Sequence, residues 1–316
     1  MTTPSALEAL AERLRATVGP RLRRDEPLGA MTTYRVGGVA RLFVDVDDEA
    51  VLARVAASVA AVPDSAVLPL LVVGKGSNLL VHDDGFPGLA IRLGDGFATM
   101  AIDGREIRAG GGVALPVLAR QTAAVGLTGL EWAVGVPGSV GGGVRMNAGG
   151  HGSDMAATLT RVRRLDLRTG EDDVVAVADL RLGYRHSDVG PDQVVVRADF
   201  GLADGDAATA TAEITEIVRW RRENQPGGPN AGSVFTNPDG DSAGRLIEAS
   251  GAKGLRVGTA VVSTKHANFI QADPGGRAAD IHALMVEVRE RVRAASGVTL
   301  VPETRLVGFP PDEGDR

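Results

Sequence analysis

Apolar positions recur on two different periods along the chain. Near the start, Leu7, Leu10 and Leu14 fall at helical spacing with Glu8 and Glu12 between them, and Ser5 followed by Glu8 has the form of a capping box. A helix is predicted over 5–18. From Leu28 to Phe200 the texture changes to short aliphatic runs cut by glycine turns. Ala40–Val46, Leu70–Val73, 90–93, 106–109, 162–167 and 194–200 are predicted strands, and 48–61 and 115–125 predicted helices. Their irregular order points to a mixed α+β fold rather than a regular βαβ series. The stretch 201–208 (GLADGDAA) reads as a linker between domains. Beyond it, 211–223 is a predicted helix with Ile214, Ile217 and Val218 facing one way, and 225–238 a loop rich in glycine and proline. A further helix is expected over 278–295, carrying Ile281, Leu284, Met285, Val288 and Val292 and stopped by Gly297. A strand over 299–307 closes the pattern, and the tail 310–316 is expected to be disordered.

Composition sharpens this picture. A chain of 316 residues is long enough for two or three domains. Glycine accounts for 42 of them and aromatic residues for only 3%, so the core must be aliphatic and the main chain must turn sharply or approach something closely. A net charge of −6 lacks the positive field that nucleic-acid binding uses. The absence of cysteine excludes disulfides, thiolate metal sites and a cysteine nucleophile. The five histidines (82, 151, 186, 266 and 282) have no metal-ligand spacing, so no metal is expected. No apolar run reaches the ~18 residues of a membrane span, and the N-terminus has no signal pattern, so a cytoplasmic protein is expected.

Three glycine-containing loops are candidate sites. In the first, a strand runs into Gly74, Lys75, Gly76, Ser77, Asn78 and Leu79. Backbone N–H groups in such a turn can form a nest for phosphate oxygens. The spacing fits neither the P-loop nor the dinucleotide fingerprint, because Pro69 and Leu79 stand where those motifs need glycine. On this segment alone, a tight turn between strands is the simpler reading. The second loop, 135–150, has glycine at 135, 138, 141, 142, 143, 149 and 150, broken by Val136, Pro137, Ser139, Met146 and Asn147. It is too irregular for a flexible linker and reads as ordered main chain lying against a cofactor with a pyrophosphate. The third, Asn230 to Pro238, presents Ser233 between small residues without the pattern of a nucleophile elbow. Arg185, Arg221, Arg222, Lys265, His266, Asn268 and Glu303 are polar residues near element ends whose chemistry spacing alone leaves open.

Taken in order, seven segments resemble one family, the UDP-N-acetylenolpyruvoylglucosamine reductases, also called UDP-N-acetylmuramate dehydrogenases. They are 32–38 (TTYRVGG), the Gly74–Leu80 loop, 135–149, 183–187 (GYRHS), 231–238, 263–270 (STKHANFI) and 302–305 (PETR), and together they span roughly residues 30–308. The resemblance is to the shorter subtype, without a tyrosine-bearing insertion.

The resemblance implies an FAD-binding domain of the vanillyl-alcohol-oxidase type over 28–202, in two subdomains (28–95 and 96–202), after a lead-in over 1–27. It implies a smaller α+β substrate domain over 203–298 and a C-terminal strand, 299–309, returning to the active site. FAD would be held without a covalent bond, His151 being the residue at which a link would be sought. Its implied contacts are Tyr34, Arg35, Gly74, Lys75, Gly76, Ser77, Asn78, Leu79, Gly135, Val136, Pro137, Gly138, Ser139, Gly141, Gly142, Asn147, Gly149 and Val196. NADPH would be the hydride donor and the enolpyruvyl ether of a UDP-sugar the substrate, bound by a monomer without nucleic acid or membrane. Arg185, Ser233 and Glu303 match the catalytic positions: a guanidinium for the carboxylate on which charge builds, a proton donor, and a carboxyl beside the substrate. Arg222, Asn237, Lys265 and His266 match substrate ligands. Thr236 and His186 depart from residues frequent in the family. The alternatives are a flavin oxidase of the same fold and a non-catalytic flavin-binding paralogue.

Overall fold

The computed structural model describes residues 4–63 and 65–310. The chain forms two compact units that interleave in sequence: Met1–Asp25, Arg41–Lys75 and Gly88–Arg221 build the first, and Glu26–Ala40, Gly76–Pro87 and Arg222–Arg316 the second.

The first unit has two layers of core. Helices α1 (Pro4–Val18) and α2 (Glu49–Ala60) cover a sheet of four strands, β1 (Leu22–Glu26), β2 (Ala40–Val46), β3 (Leu70–Val73) and β5 (Phe86–Leu93), in the order β1-β2-β5-β3; β4 (Leu79–Val81) lies outside this sheet. Asp48 starts α2 by accepting the Val51 N–H at 2.8 Å, and Val51, Leu52, Val55 and Val59 form its buried stripe. In α1, Leu10 and Leu14 are fully buried and Leu7 only partly; the Ser5 side chain of the expected capping box lies outside the described residues. Strands β3 and β5 are parallel, and the Gly94 N–H meets the Val46 carbonyl at 2.8 Å, so β2, β3 and β5 end on the same side. In open α/β sheets that carboxyl end is where ligands bind.

The second layer of this unit is an antiparallel sheet of five strands, ordered Asp172–Ala176, Leu159–Asp166, Gln193–Gly201, β7 (Glu106–Gly110) and β6 (Met100–Asp103). Helices α3 (Leu115–Ala124), α4 (Val140–Arg145) and α5 (Ala207–Asn224) join it around one apolar core. Its central strand is bulged: Arg163 faces Arg197 and Arg164 faces Val195, so Val196 is the extra residue.

In the second unit, α6 (Ala243–Ala249) and α7 (Ala278–Ser296) accompany the short antiparallel sheet of 256–257, 260–262 and 270–272. Strand β4 pairs in parallel with Arg305–Val307. Tyr34, Leu80, Val234 and Phe235 share the core with the inward face of α7. Among the described residues, no helix is long and apolar enough to cross a membrane.

Several expectations need correction. The stretch 201–208 is not a linker. Asp206 accepts the Thr209 N–H at 2.8 Å and starts α5, whose Ala210, Ile214 and Ile217 belong to the first unit's core. The division therefore falls at Arg221, not near 202, and the segments 26–40 and 76–87 belong to the second unit rather than the first. Val218 of α5 is 42% exposed instead of sharing the face of Ile214 and Ile217. The closing strand is limited to Arg305–Val307, because Pro302 has no N–H to donate and 301–304 pairs irregularly with the Ser233 loop. Residues 311–316 of the tail expected to be disordered lie outside the described residues.

Candidate active site

In the first unit the two glycine segments meet. Gly74 follows β3 at the carboxyl end of the sheet, and a Cβ on it would lie 2.6 Å from the Ser139 hydroxyl, which a side chain there would have to displace. Ser139 in turn starts α4, accepting the Gly142 N–H at 3.4 Å. The segment before it is stitched down by main-chain bonds: Leu115 N–H to Gly138 (3.0 Å), Val140 N–H to Val113 (2.8 Å) and Gly141 N–H to Gly111 (2.9 Å). Gly111 itself donates to the Val196 carbonyl at 2.9 Å. The sequence reading missed this second glycine run, 110–112, although its composition was the available signal. Gly135, Val136 and Pro137 enter the segment from a short 3-10 turn, and Gly142 is exposed at its outer side.

Arg185 is at the tip of a tight turn. Gly183 and His186 exchange both backbone hydrogen bonds, at 3.0 and 3.1 Å, leaving Tyr184 and Arg185 between them. Arg185 has φ 55°, a conformation that suits glycine and strains other residues. Asn147, buried and itself at φ 39°, pins this turn: its amide donates to the Gly183 carbonyl (2.9 Å) and to Asp154 (3.1 Å), and its oxygen accepts the Ala156 N–H (3.0 Å). The Arg185 guanidinium donates to the Gly149 carbonyl at 3.4 Å and stacks 5.1 Å from the Tyr184 ring.

The second unit gathers Ser77, Asn78, Leu79, Ser233 and Glu303. Asn268 holds the Ser233 loop from one side. Its carbonyl accepts the Val234 N–H (2.9 Å), and its side chain exchanges bonds with both backbone groups of Phe235 (3.0 and 2.8 Å). The Glu303 N–H donates to the Val234 carbonyl at 2.7 Å from the other side. Asn78 then closes the cluster, its side chain donating to the Glu303 carbonyl at 3.0 Å. The Ser233 hydroxyl has no hydrogen-bond partner among the described residues. Gly76, at φ 64°, would place a Cβ 2.4 Å from the Met31 carbonyl, and its own carbonyl accepts the Thr33 N–H.

The remaining expected residues have mixed placements. Tyr34 is completely buried in the second unit's core, where desolvation pushes its phenol pKa up. Arg35 is exposed at φ 58°. Asn237 accepts the Ala243 N–H at 3.0 Å, at the start of α6. The Lys265 ammonium donates to the Arg222 carbonyl at 2.6 Å. His266 accepts the Asn268 N–H on Nδ1 at 3.3 Å, and burial, with Lys253 adding to it, lowers its pKa so that the neutral ring is favoured. Lys75 and Arg222 are exposed.

It is Arg221, not Arg222, that is half-buried. Its side chain lies against Gly135, where a Cβ would approach it to 3.0 Å, and it has no carboxylate partner among the described residues. Burial lowers its pKa, and both burial and Arg221 lower that of His151, whose ring meets Trp220 edge-on at 5.2 Å. Spacing could not choose between two adjacent arginines at a helix end.

Comparison with known proteins gives the same division of labour. Residues 45–177 match the family model described as an FAD binding domain. Residues 224–307 match that of the C-terminal domain of UDP-N-acetylenolpyruvoylglucosamine reductase. The chain is 41% identical to UDP-N-acetylenolpyruvoylglucosamine reductase 2 of Symbiobacterium thermophilum, over 96% of this chain and 100% of that protein. It is 43% identical to the reductase of Heliobacterium modesticaldum, over 90% of each. The crystal structure of the reductase from Thermus caldophilus superposes with a TM-score of 0.79 at 36% identity, covering 90% of this chain and 99% of that one.

The chain belongs to the UDP-N-acetylenolpyruvoylglucosamine reductase family. Its α+β class and its flavin-binding domain with a second, smaller unit are those expected from the sequence. The residues present fit the flavin of this reductase family. In the first unit, glycine at 74 leaves the Ser139 hydroxyl uncovered, where a Cβ would come within 2.6 Å of it. In the second, the buried hydroxyl oxygens of Thr33 and Thr304 have no partner among the described residues, beside Gly76 and Glu303 respectively. Buried polar atoms without partners are rare in finished folds, and an oxygen-rich ligand would satisfy them.

Proposed function

We propose that the chain reduces the enolpyruvyl ether of UDP-N-acetylglucosamine to UDP-N-acetylmuramate, with FAD as bound cofactor and NADPH as reductant, in the supply of peptidoglycan precursors. The observation that carries this reading is the Ser233–Glu303 pairing. A hydroxyl with no internal partner precedes the residue whose carbonyl holds the Glu303 amide at 2.7 Å. Such a pair suits delivery of a proton to a carbanion. An alcohol oxidase would instead need a base for the substrate hydroxyl.

FAD, when bound, supplies the hydride that adds to the terminal carbon of the substrate's vinyl group. The protein's part is to manage the charge and the proton. Hydride addition builds negative charge on the substrate carboxylate, and the Arg185 guanidinium offers that group a planar pair of donors. The strained turn fixes the direction of Arg185 before substrate arrives, so little reorganisation is needed. The Ser233 hydroxyl gives its proton to the carbon bearing the ether oxygen, which completes addition of hydride and proton across the double bond. Glu303, its backbone gripped by Val234 and Asn78, borders the same group.

The diphosphate falls to cationic and neutral donors. Lys265 and His266 offer N–H groups, and Arg222 and Asn237 are assigned with them. Arg221, a desolvated cation without a carboxylate, joins them as an anion ligand. A cytoplasmic reaction is part of this reading, since both proposed substrates are charged nucleotides that do not cross membranes unaided.

The purified protein should be yellow. Beyond the one equivalent that reduces the bound flavin, it should turn over NADPH in step with the enolpyruvyl sugar, forming UDP-N-acetylmuramate mole for mole. A colourless protein, or NADPH consumption indifferent to the sugar, overturns this reading.

A further inference from the structure

The turn that carries Arg185 is held on both flanks by one short helix. On one side the buried Asn147, two residues beyond the end of α4, donates to the Gly183 carbonyl at 2.9 Å. On the other, the buried Ser187 hydroxyl donates to the carbonyl of Arg145, the last residue of α4, at 2.8 Å. Only Tyr184, Arg185 and His186 lie between these two anchors. The opposite end of α4 is capped by Ser139, the residue that faces Gly74. Its six residues span about 9 Å at ~1.5 Å of rise each. The helix is therefore a strut that sets the distance from the glycine segment to the arginine turn.

The Asn147 side chain has no donor to spare. One amide N–H goes to Gly183 and the other to Asp154 at 3.1 Å, while its oxygen accepts the Ala156 N–H at 3.0 Å. Neither N–H is left for a cofactor, so the flavin contact implied for Asn147 falls to its main chain. Asp154 fixes which way the amide faces, because only the N–H side can meet a carboxylate. The same residue supports the second contact of Arg185: Ser153 and Asp154 pair with Gly150 and Gly149, and the Gly149 carbonyl receives the guanidinium. Buried polar networks whose members are all satisfied are rigid, and this one surrounds the single arginine assigned to the developing charge.

We propose that Asn147 and Ser187 are positioning residues of the reduction, which clamp the Arg185 turn to the two ends of its span on α4 and so hold the guanidinium at a fixed distance from the glycine segment. The proposal rests on the role assigned to Arg185 above. Neither residue acts by touching the substrate. Their effect is geometric, and geometry of this kind is worth much: a misplacement of ~1 Å costs on the order of 10² in rate.

The test compares Ser187→Ala and the exchange variant Asn147→Asp with Asp154→Asn, both flavin-loaded. The exchange keeps an acceptor for Ala156 and an amide–carboxylate pair between 147 and 154, but leaves no N–H for Gly183. It should therefore fold with a melting temperature above that of Asn147→Asp alone, in which two carboxylates meet. In stopped flow, flavin reduction by NADPH should be unchanged in both variants, and re-oxidation by the enolpyruvyl sugar should slow about tenfold or more. In an Arg185→Ala background the same changes should cost nothing further, since they act through that side chain. Amide exchange over 183–187, which needs no substrate, should quicken in both variants. Unchanged exchange over 183–187 overturns the proposal whatever the substrate proves to be. Loss of flavin, equal slowing of both half-reactions, or slowing that persists in full without Arg185 also overturns it. Failure of the wild type itself to pass electrons to the sugar would instead overturn the proposed function, and exchange over 183–187 would then decide the clamp by itself.

Discussion

The side-chain amide of Asn78 donates to the backbone carbonyl of Glu303 at 3.0 Å, joining the glycine turn after β3 to a residue proposed for the reaction. Asn78 grips the main chain of Glu303, not its carboxyl, and the Glu303 N–H is separately held by Val234. Both of these contacts are to the main chain, so Glu303→Gln should leave them in place. The expected result is a turnover loss of more than tenfold, about 1.4 kcal/mol of barrier or more, with flavin content unchanged. Turnover near that of the wild type would remove Glu303 from the chemistry.

Arg185 occupies a backbone conformation in which a non-glycine side chain costs roughly 1–2 kcal/mol. Arg185→Gly should therefore hold or raise the melting temperature while turnover collapses. Arg185→Lys retains the charge but loses the planar fork, and should also turn over poorly. Steady-state kinetics beside thermal melts of the two variants separate these effects. If Arg185→Lys keeps full turnover, the fork plays no part.

Ser233→Ala isolates the proton. Reduction of the bound flavin by NADPH involves no proton transfer to the sugar, so that half-reaction should be nearly unchanged in stopped flow. Re-oxidation by the enolpyruvyl sugar should slow by ~10²–10⁴, the usual contribution of a positioned acid. Equal slowing of both halves would count against Ser233 as the donor.

Much of this was legible in the sequence because it rests on local rules. The buried stripe of α7 and its Gly297 stop follow from side-chain period and a left-handed C-cap, and both are as expected. The glycine-rich composition around 74 and 141 announces crowded main chain, and the structure has a Cβ at 74 meeting the Ser139 hydroxyl at 2.6 Å and one at 141 meeting the Gly111 carbonyl at 3.1 Å. What was not legible depends on long-range partners. Nothing local to 201–208 says that Asp206 will start a helix whose Ile214 and Ile217 complete the first unit's core. Nothing local to 26–40 says that Tyr34 and Val36 will join the core of the C-terminal half. Arg221 and Arg222 differ only in which way the last turn of α5 points them.

That difference carries its own prediction. The Arg221 guanidinium is half-buried with no carboxylate beside it, so the fold bears its desolvation without compensation. Arg221→Met should raise the melting temperature and at the same time raise KM for the enolpyruvyl sugar about tenfold or more. Arg222→Met, at an exposed position where a charge contact is screened by water, should raise KM by a smaller factor than Arg221→Met. The reverse ranking, measured under the same salt, would return the anion contact to Arg222.

Stability at mildly acid pH should be governed by histidine. Burial lowers the pKa of His266, with Lys253 adding to it, and burial followed by Arg221 lowers that of His151. The unfolded chain therefore takes up protons near the ordinary histidine value of 6.5 while the fold still refuses them. Where the unfolded state binds more protons, stability rises with pH, so the loss sets in as pH drops below about 6.5. The aspartates with lowered values, Asp241 at about 2 among them, lose their contribution only below their ordinary 3.8 and stay out of this window. The melting temperature should thus fall between pH 7 and pH 5, and the double variant His151→Gln with His266→Gln should flatten that fall. An unchanged slope in the double variant would place the acid sensitivity on other groups.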